Sequence, residues 1–291
     1  MVKQVCLFGV GLIGGSFARA LREHRLCERI TGCGRSEANL QKAVSLGVID
    51  DYTTDPKRAV VGADLIVFAT PLGAMPGLFA TIKPLLTESM VLTDMGSAKG
   101  SVLNAARTAF GEMPANFVLG HPIAGTENSG VEASFSTLYV DRRVILTPVE
   151  NTSAQALKLV RQLWQGIGAS VVEMDVQHHD EVLAATSHLP HVLAYSIVDT
   201  LATMSEKKEI FRYAAGGFKD FTRIASSDPV MWRDICLDNR AAILHMIELF
   251  QSDLARLTEA IAKQDGDKIL TIFENAKQAR DQFLDQYSKP T

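Results

Sequence analysis

The chain has 291 residues, 47% of them hydrophobic and 21% charged, with a formal net charge of −4. That is the balance of a globular protein long enough for one large domain or two ordinary ones. A slightly acidic chain offers nothing that attracts nucleic acid or an anionic membrane, and no apolar run is long enough to span a bilayer. The cysteines Cys6, Cys27, Cys33 and Cys236 share no metal spacing, and Cys6 and Cys33 fall in predicted strands. A reduced, cytoplasmic protein without disulfides or zinc is expected.

The first predicted element is an apolar strand running into Gly9-Val10-Gly11-Leu12-Ile13-Gly14, with a helix from Ser16 onward. Strand, glycine turn and helix start in that order form a dinucleotide-binding fingerprint. Gly9 allows the tight turn, Gly11 lets a pyrophosphate approach the backbone, and Gly14 lets helix and strand pack closely. The helix start, with Leu12 and Ile13, offers free N–H groups and a positive dipole end to the phosphates. A glycine turn that only packs is the alternative.

The second strand, Arg29 to Gly34, ends at Arg35-Ser36. An NAD site usually carries an acidic residue there, bonded to the ribose 2′-hydroxyl. A guanidinium and a hydroxyl would instead bind a 2′-phosphate, so NADP is preferred over NAD as the expected cofactor. Leu65 to Ala69 is a continuous apolar strand closed by Thr70-Pro71, which are assigned to the same cofactor site. Strands Met90–Asp94, Asn116–Leu119, Val144–Thr147 and Ala169–Met174 follow, mostly separated by helical patterns. Such alternation predicts an α/β, doubly wound parallel sheet over residues 1–175, with ligands beyond the carboxyl ends of the strands. Ser97 and His121 both fall at such ends.

Residues 176–291 read as an all-helical second domain. His178-His179 looks like a solvated helix start. Val192 to Met204 is apolar almost all round, which predicts a central buried helix begun or kinked by Pro190. Asp228-Pro229 is a helix start. Ile243, Ile247, Phe250, Leu254, Leu257 and Ile261 form a heptad-like seam, broken at Asp265-Gly266-Asp267 and resumed on a last helix. So much apolar helix face predicts a homodimer through this half; a bundle closed on itself is the alternative.

Three places could carry chemistry. A neutral His121 where the nicotinamide should lie can take a proton from a substrate hydroxyl, with Ser97 bonding the imidazole or the hydroxyl. His188 and His191 share a face at i, i+3, and with no convincing third ligand no metal is expected. In Gly216-Gly217-Phe218-Lys219-Asp220-Phe221-Thr222-Arg223, Lys219 and Arg223 could face one pocket, and Arg223 suits a carboxylate. Trp232 is a wall of that pocket or core.

Taken together, Gly120-His121-Pro122-Ile123-Ala124-Gly125-Thr126-Glu127-Asn128-Ser129-Gly130, Ser187-His188-Leu189-Pro190-His191, the Gly216–Arg223 stretch and Asp228-Pro229-Val230-Met231-Trp232-Arg233-Asp234 closely resemble the bacterial prephenate/arogenate (cyclohexadienyl) dehydrogenases of tyrosine biosynthesis. The resemblance implies an oxidative decarboxylation. A hydride leaves the alcohol carbon of a cyclohexadiene ring, the ring carboxylate departs as carbon dioxide, and the ring becomes aromatic. It implies His121 as acceptor of the ring hydroxyl's proton, Ser97 as its assistant, Arg223 as carboxylate anchor and His191 at the substrate's far end. Thr126, Glu127, Gly216, Lys219 and Trp232 would shape the pocket or its mouth. His191 suggests that prephenate is accepted and leaves arogenate open. No fused mutase or regulatory domain is expected. Two rival readings remain: another small-acid dehydrogenase using Lys219, and a non-catalytic NADP sensor.

Overall fold

The computed structural model describes residues 1–126, 128–205 and 207–287. The chain opens with β1 (Val2–Phe8), α1 (Leu12–Glu23), β2 (Cys27–Cys33), α2 (Glu37–Ser45), β3 (Asp51–Thr53), α3 (Pro56–Ala59), β4 (Leu65–Phe68), α4 (Met75–Ile82), β5 (Val91–Asp94), α5 (Lys99–Phe110) and β6 (Phe117–Val118). The strands pair in parallel in the order β3-β2-β1-β4-β5-β6. This is the strand order of a dinucleotide-binding sheet, with its crevice where the order reverses at β1 and β4. Helices on both faces explain why β4 is buried along its whole length.

The expected sheet is corrected at its far end. Leu119 carries the chain directly from β6 into β7 (Gly120–Pro122), with no crossover helix between them. Without a crossover, β7 cannot extend the parallel sheet. It pairs antiparallel with β8 (Arg143–Leu146), and β8 pairs in parallel with β9 (Ser170–Glu173) after α6 (Ala154–Gly166). The result is a second, three-stranded sheet in the order β7-β8-β9. Strand β3, three residues long, is also absent from the sequence reading.

The core joins both sheets to their helices. Trp164 on α6 packs against Phe17 on α1 and edge-on to Tyr139, and all three are buried. On the other face, Phe68 stacks on Phe8 and meets Phe79 edge-on.

Helices then dominate: α7 (Val176–Leu183), a π turn over Ala184–His188, α8 (Leu189–Thr203), α9 (Lys207–Arg212), α10 (Gly216–Thr222), a 3-10 turn over Arg223–Ser226, α11 (Pro229–Asp238), α12 (Arg240–Ala262) and α13 (Gly266–Tyr287). Asp228 caps α11 as expected, its Oδ1 accepting the N–H groups of Val230 at 2.8 Å and Met231 at 2.9 Å. The expected central burial of Val192–Met204 is corrected. Only Leu189 and Ala194 of α8 are buried, and Ile197 is 38% exposed. Its neighbours α9, α10 and the 3-10 turn are too short to cover an apolar helix on every side.

The chain divides into two compact units, residues 1–242 and residues 243 onward. The first holds both sheets and the helices through α11. The second holds most of α12, the turn at Asp265 and α13, and much of its apolar side-chain surface is exposed. No helix among the described residues is long and apolar enough to cross a membrane.

Candidate active site

The phosphate turn is built from backbone. Gly9 takes a φ of +89°, and a Cβ there would overlap the Ala69 carbonyl. A Cβ on Gly14 would overlap the Gly9 carbonyl oxygen and lie 2.9 Å from the Ala69 Cβ. Any larger residue at either position would push β1, α1 and β4 apart. A Cβ on Gly11, the N-cap of α1, would instead enter open space. A side chain there would fill the place where a pyrophosphate meets the first N–H groups of α1, those of Leu12, Ile13 and Gly14. Beside the turn, the buried Thr70 Oγ1 has no partner among the described residues. Pro71 follows and caps a short 3-10 turn. These features fit a dinucleotide.

The turn is also clamped from outside. The Tyr139 hydroxyl donates to the Ile13 carbonyl at 2.6 Å, and Asn39 Nδ2 donates to the Val10 carbonyl at 2.9 Å. Past the end of β2, Arg35 is exposed. Ser36 is occupied in part, because its Oγ caps α2 by accepting the Asn39 N–H at 3.3 Å.

Beyond β5 and β6 lies a buried polar cluster. Lys99, at the start of α5, is fully buried and pairs with buried Asp94 at the end of β5. Its Nζ also donates to the Gly120 carbonyl at 2.6 Å, and Asp94 Oδ1 accepts the Gly120 N–H at 3.2 Å. The ion pair thus grips both sides of Gly120 and fixes His121 next to it. His121 is itself buried, and its Nδ1 lies 2.9 Å from Nε2 of His179. His179 Nδ1 in turn lies 2.8 Å from Asp180 Oδ1. Asp180 accepts the backbone N–H groups of Lys99 and Gly100, both at 2.8 Å. Its carboxylate therefore sits on the positive N-terminal end of α5.

Burial above all, then the repulsion that an imidazolium would meet from a protonated His179, from Lys99 and from a protonated His188, holds the His121 imidazole well below its usual pKa. Burial also lowers His179, against the pull of Asp180. Burial would raise the Asp180 carboxyl, but the hydrogen bonds from His179, Lys99 and Gly100 carry it below the ordinary value. At neutral pH the cluster is two neutral imidazoles backed by one carboxylate.

The helical side supplies a second group. His188 closes the π turn, and Asn239 Nδ2 donates to its Nδ1 at 3.1 Å and to the Asp180 carbonyl at 2.8 Å. Burial brings His188 down to about 4. His191 stacks on Trp232 with ring centres 3.6 Å apart and planes at 17°, and its Nδ1 donates to the Ser187 carbonyl at 2.9 Å. His188 meets the same indole edge-on at 6.1 Å, so the i, i+3 face proves to be a shared face on Trp232. Burial lowers His191, and the nearby Arg223 charge lowers it further.

The structure therefore brings His121 and His188 together, and His188, His191, Trp232 and Arg223 together. Gly216 opens α10 and Lys219 is exposed on it. Thr126 is exposed and its Oγ1 accepts the Asn128 N–H at 3.2 Å; Glu127 lies outside the described residues. Ser97 is half-buried at the end of β5, and the Nδ1 partner of His121 is His179 rather than Ser97. The reading of His178-His179 as a solvated helix start is corrected for one of the two. Asp175 caps α7, His178 faces solvent and His179 turns fully inward. Besides His179, the sequence reading missed Asp180, Asn239 and the Lys99–Asp94 pair. The detectable signal was the spacing of Val176, His179 and Leu183 on one apolar face.

A dinucleotide-binding sheet with a neutral buried histidine beyond its strand ends defines a nucleotide-dependent oxidoreductase. Residues 17–173 match the family described as prephenate dehydrogenase, nucleotide-binding domain, and residues 175–275 match prephenate dehydrogenase, dimerization domain. The cyclohexadienyl dehydrogenase of Zymomonas mobilis is 40% identical, over 96% of this chain and 95% of that one. The prephenate dehydrogenase of Bacillus subtilis is 35% identical, over 97% of this chain and 76% of its own length. The crystal structure of Aquifex aeolicus prephenate dehydrogenase in complex with hydroxyphenyl propionate and NAD+ superimposes with a TM-score of 0.91 at 39% identity. It covers 97% of this chain and 99% of that one. The chain belongs to the prephenate dehydrogenase family.

Proposed function

We propose that His121 is the general base of this enzyme and that its substrate site is completed by the groups around Trp232. The reaction is the NAD(P)-dependent oxidative decarboxylation of prephenate or arogenate, a step of tyrosine biosynthesis. The observation that carries the residue assignment is the burial of a neutral His121 just beyond the sheet, beside His188. When bound, the nicotinamide supplies the hydride acceptor. The chain's own residues orient the ring and handle one proton. His121 accepts the hydrogen bond of the ring hydroxyl and then its proton, with Ser97 assisting. Arg223 holds a substrate carboxylate with a two-pronged bond. His191, fixed flat on Trp232, meets the substrate's far end. Thr126, Glu127, His188, Gly216 and Lys219 shape the pocket or its mouth. Aromatisation and release of carbon dioxide supply driving force, so positioning and one polarised hydroxyl suffice.

Gly9, Gly11, Leu12, Ile13, Gly14, Thr70 and Pro71 hold the dinucleotide. The absence of a carboxylate at Arg35-Ser36 supports NADP over NAD, although the Aquifex enzyme was crystallised with NAD+. His191 supports acceptance of prephenate. Residues 1–175 bind the cofactor and residues 176–291 complete the substrate site and form a homodimer. The two family matches meeting near residue 174 support that division, and the exposed apolar side chains of α12 and α13 support the dimer. A cytoplasmic location is supported by the four free cysteines.

The test is reduction of NADP and of NAD, each with prephenate and with arogenate. Turnover of prephenate, faster with NADP, is expected. Faster turnover with NAD overturns the cofactor preference, and turnover of arogenate alone overturns the substrate assignment.

A further inference from the structure

His179 meets His121 on the Nδ1 side of its ring, Asp180 meets His179 in turn, and their geometry dictates a proton arrangement. An ionised Asp180 can only accept, so the hydrogen on the 2.8 Å contact belongs to His179 Nδ1. A neutral His179 then carries its lone pair on Nε2. The 2.9 Å contact to His121 Nδ1 can therefore be a hydrogen bond only if His121 donates there. That leaves the His121 lone pair on Nε2, the remaining nitrogen. The carboxylate is held ionised by the two amides at the start of α5, so the whole order of protons is set from Asp180 outward.

We propose that His179 and Asp180 are positioning residues which form a relay, holding His121 as the Nδ1–H tautomer with Nε2 as the base and taking up the charge when that base is protonated. The inference rests on the reading of His121 as the base. As the substrate O–H bond breaks, its proton forms a new N–H bond at His121 Nε2. The His121 Nδ1–H bond breaks as that proton passes to His179 Nε2, and His179 keeps its Nδ1 hydrogen on Asp180. No proton is lost from the chain of groups. The positive charge moves one ring deeper, toward the carboxylate and away from the departing hydride. This placement answers an electrostatic difficulty. Lys99 already lies behind Gly120, and an imidazolium at His121 would have to form in a dry site beside that cation. Asp94 balances Lys99, Asp180 balances the histidine pair, and His188 is kept neutral by burial. These are the charged and titratable groups that face the pair from β5, α5, α7 and the π turn. A histidine held by a carboxylate in one tautomer is a recurring device of proton-transfer sites, and two histidines in series extend its reach.

Three variants test this: His121→Asn, Asp180→Asn and His179→Gln. Each is assayed for kcat and KM across pH, with dinucleotide binding measured by fluorescence. The tautomer of His121 is read from the ring ¹⁵N shifts of histidine-labelled protein. In the wild type, His121 is expected as Nδ1–H. Asp180→Asn removes the charge that favours an imidazolium on the pair. Its acid limb should move to lower pH, its kcat should fall about 10- to 100-fold, and KM should change little. His121 should then show mixed tautomers. His179→Gln keeps a hydrogen-bond acceptor for His121 Nδ1 but cannot pass a proton. It should keep the His121 tautomer while kcat still falls, whereas a purely orienting His179 would be rescued by Gln. It also covers the case in which Asp180→Asn fails to fold. A wild-type His121 found as Nε2–H, or unchanged kcat and pH profile in His179→Gln and in a folded Asp180→Asn, overturns the relay. If His121→Asn itself turns over normally, the base assignment fails instead.

Discussion

The two ends of this chain treat their apolar side chains in opposite ways. In the nucleotide-binding part, Phe8, Phe17, Phe68, Phe79, Phe117 and Trp164 are all less than 2% exposed. On α12 and α13, Leu254, Ile261 and Phe273 are 49%, 57% and 55% exposed. The first part closes its core within one chain and can hold reacting groups in a dry, fixed setting. The second offers surface that a single chain leaves uncovered. The groups proposed above for substrate recognition, His191, Arg223 and Trp232, lie on α8, the 3-10 turn and α11, within residues 1–242. With the function proposed above, the contrast assigns chemistry and substrate recognition to the closed part, and assembly to the open one.

That assignment can be broken by single substitutions. Trp164→Ala removes a fully buried side chain that braces α1 against α6, and should cost about 3–5 kcal/mol of stability. A denaturant titration measures it, and a loss below 1 kcal/mol would mean the core is not closed as described. His121→Asn should lower kcat by about 100-fold or more with the melting temperature intact; near-normal turnover would move the chemistry elsewhere. Leu254→Glu, in the open part, should leave the fold in place and shift sedimentation from dimer to monomer, and an unshifted dimer would place the interface on another face. Arg223→Ala should raise KM for the substrate by about tenfold or more, the scale set by losing charge-assisted hydrogen bonds to a carboxylate, with kcat less affected. A fall in kcat alone would make Arg223 part of the chemistry. The smallest effect is expected of Arg35→Ala, which should weaken NADP more than NAD by a few-fold, since the pair is exposed. Equal weakening of both would remove the guanidinium from the phosphate site.

How far the sequence revealed each region follows from how local its physics is. The turn at Gly9, Gly11 and Gly14 was legible because three glycines, one strand and one helix start lie within about twenty residues and fix the geometry by backbone sterics alone. The helical part was legible in part. Asp228-Pro229 announces its helix, and His188 with His191 announces a shared face. His179 was hidden because a neighbour of the same type, His178, points to solvent, and the dipeptide gives no sign of which ring turns inward. The depth of His179 is set by β7 and α5, more than fifty residues away in sequence. Likewise, the break between the two sheets rests on the single residue Leu119, where there is too little chain for any periodicity to show. The apolar run in α8 misled for a different reason. Hydrophobicity reports that a surface will be covered, and is silent on whether the cover comes from the same chain.

The π turn at Ala184–His188 has a mechanical consequence. Each residue of a helix turns the chain by about 100°, so the extra residue absorbed there acts as a phase offset between α7 and α8. Upstream, the helix is in phase with β7 and delivers His179 to His121. Downstream, it is in phase with α11 and lays His191 flat on Trp232. One continuous rod thus serves two partners that an unbroken α-helix could not satisfy at once. Deleting a single residue from that turn would swing His191 off the indole while leaving the composition of the site almost untouched.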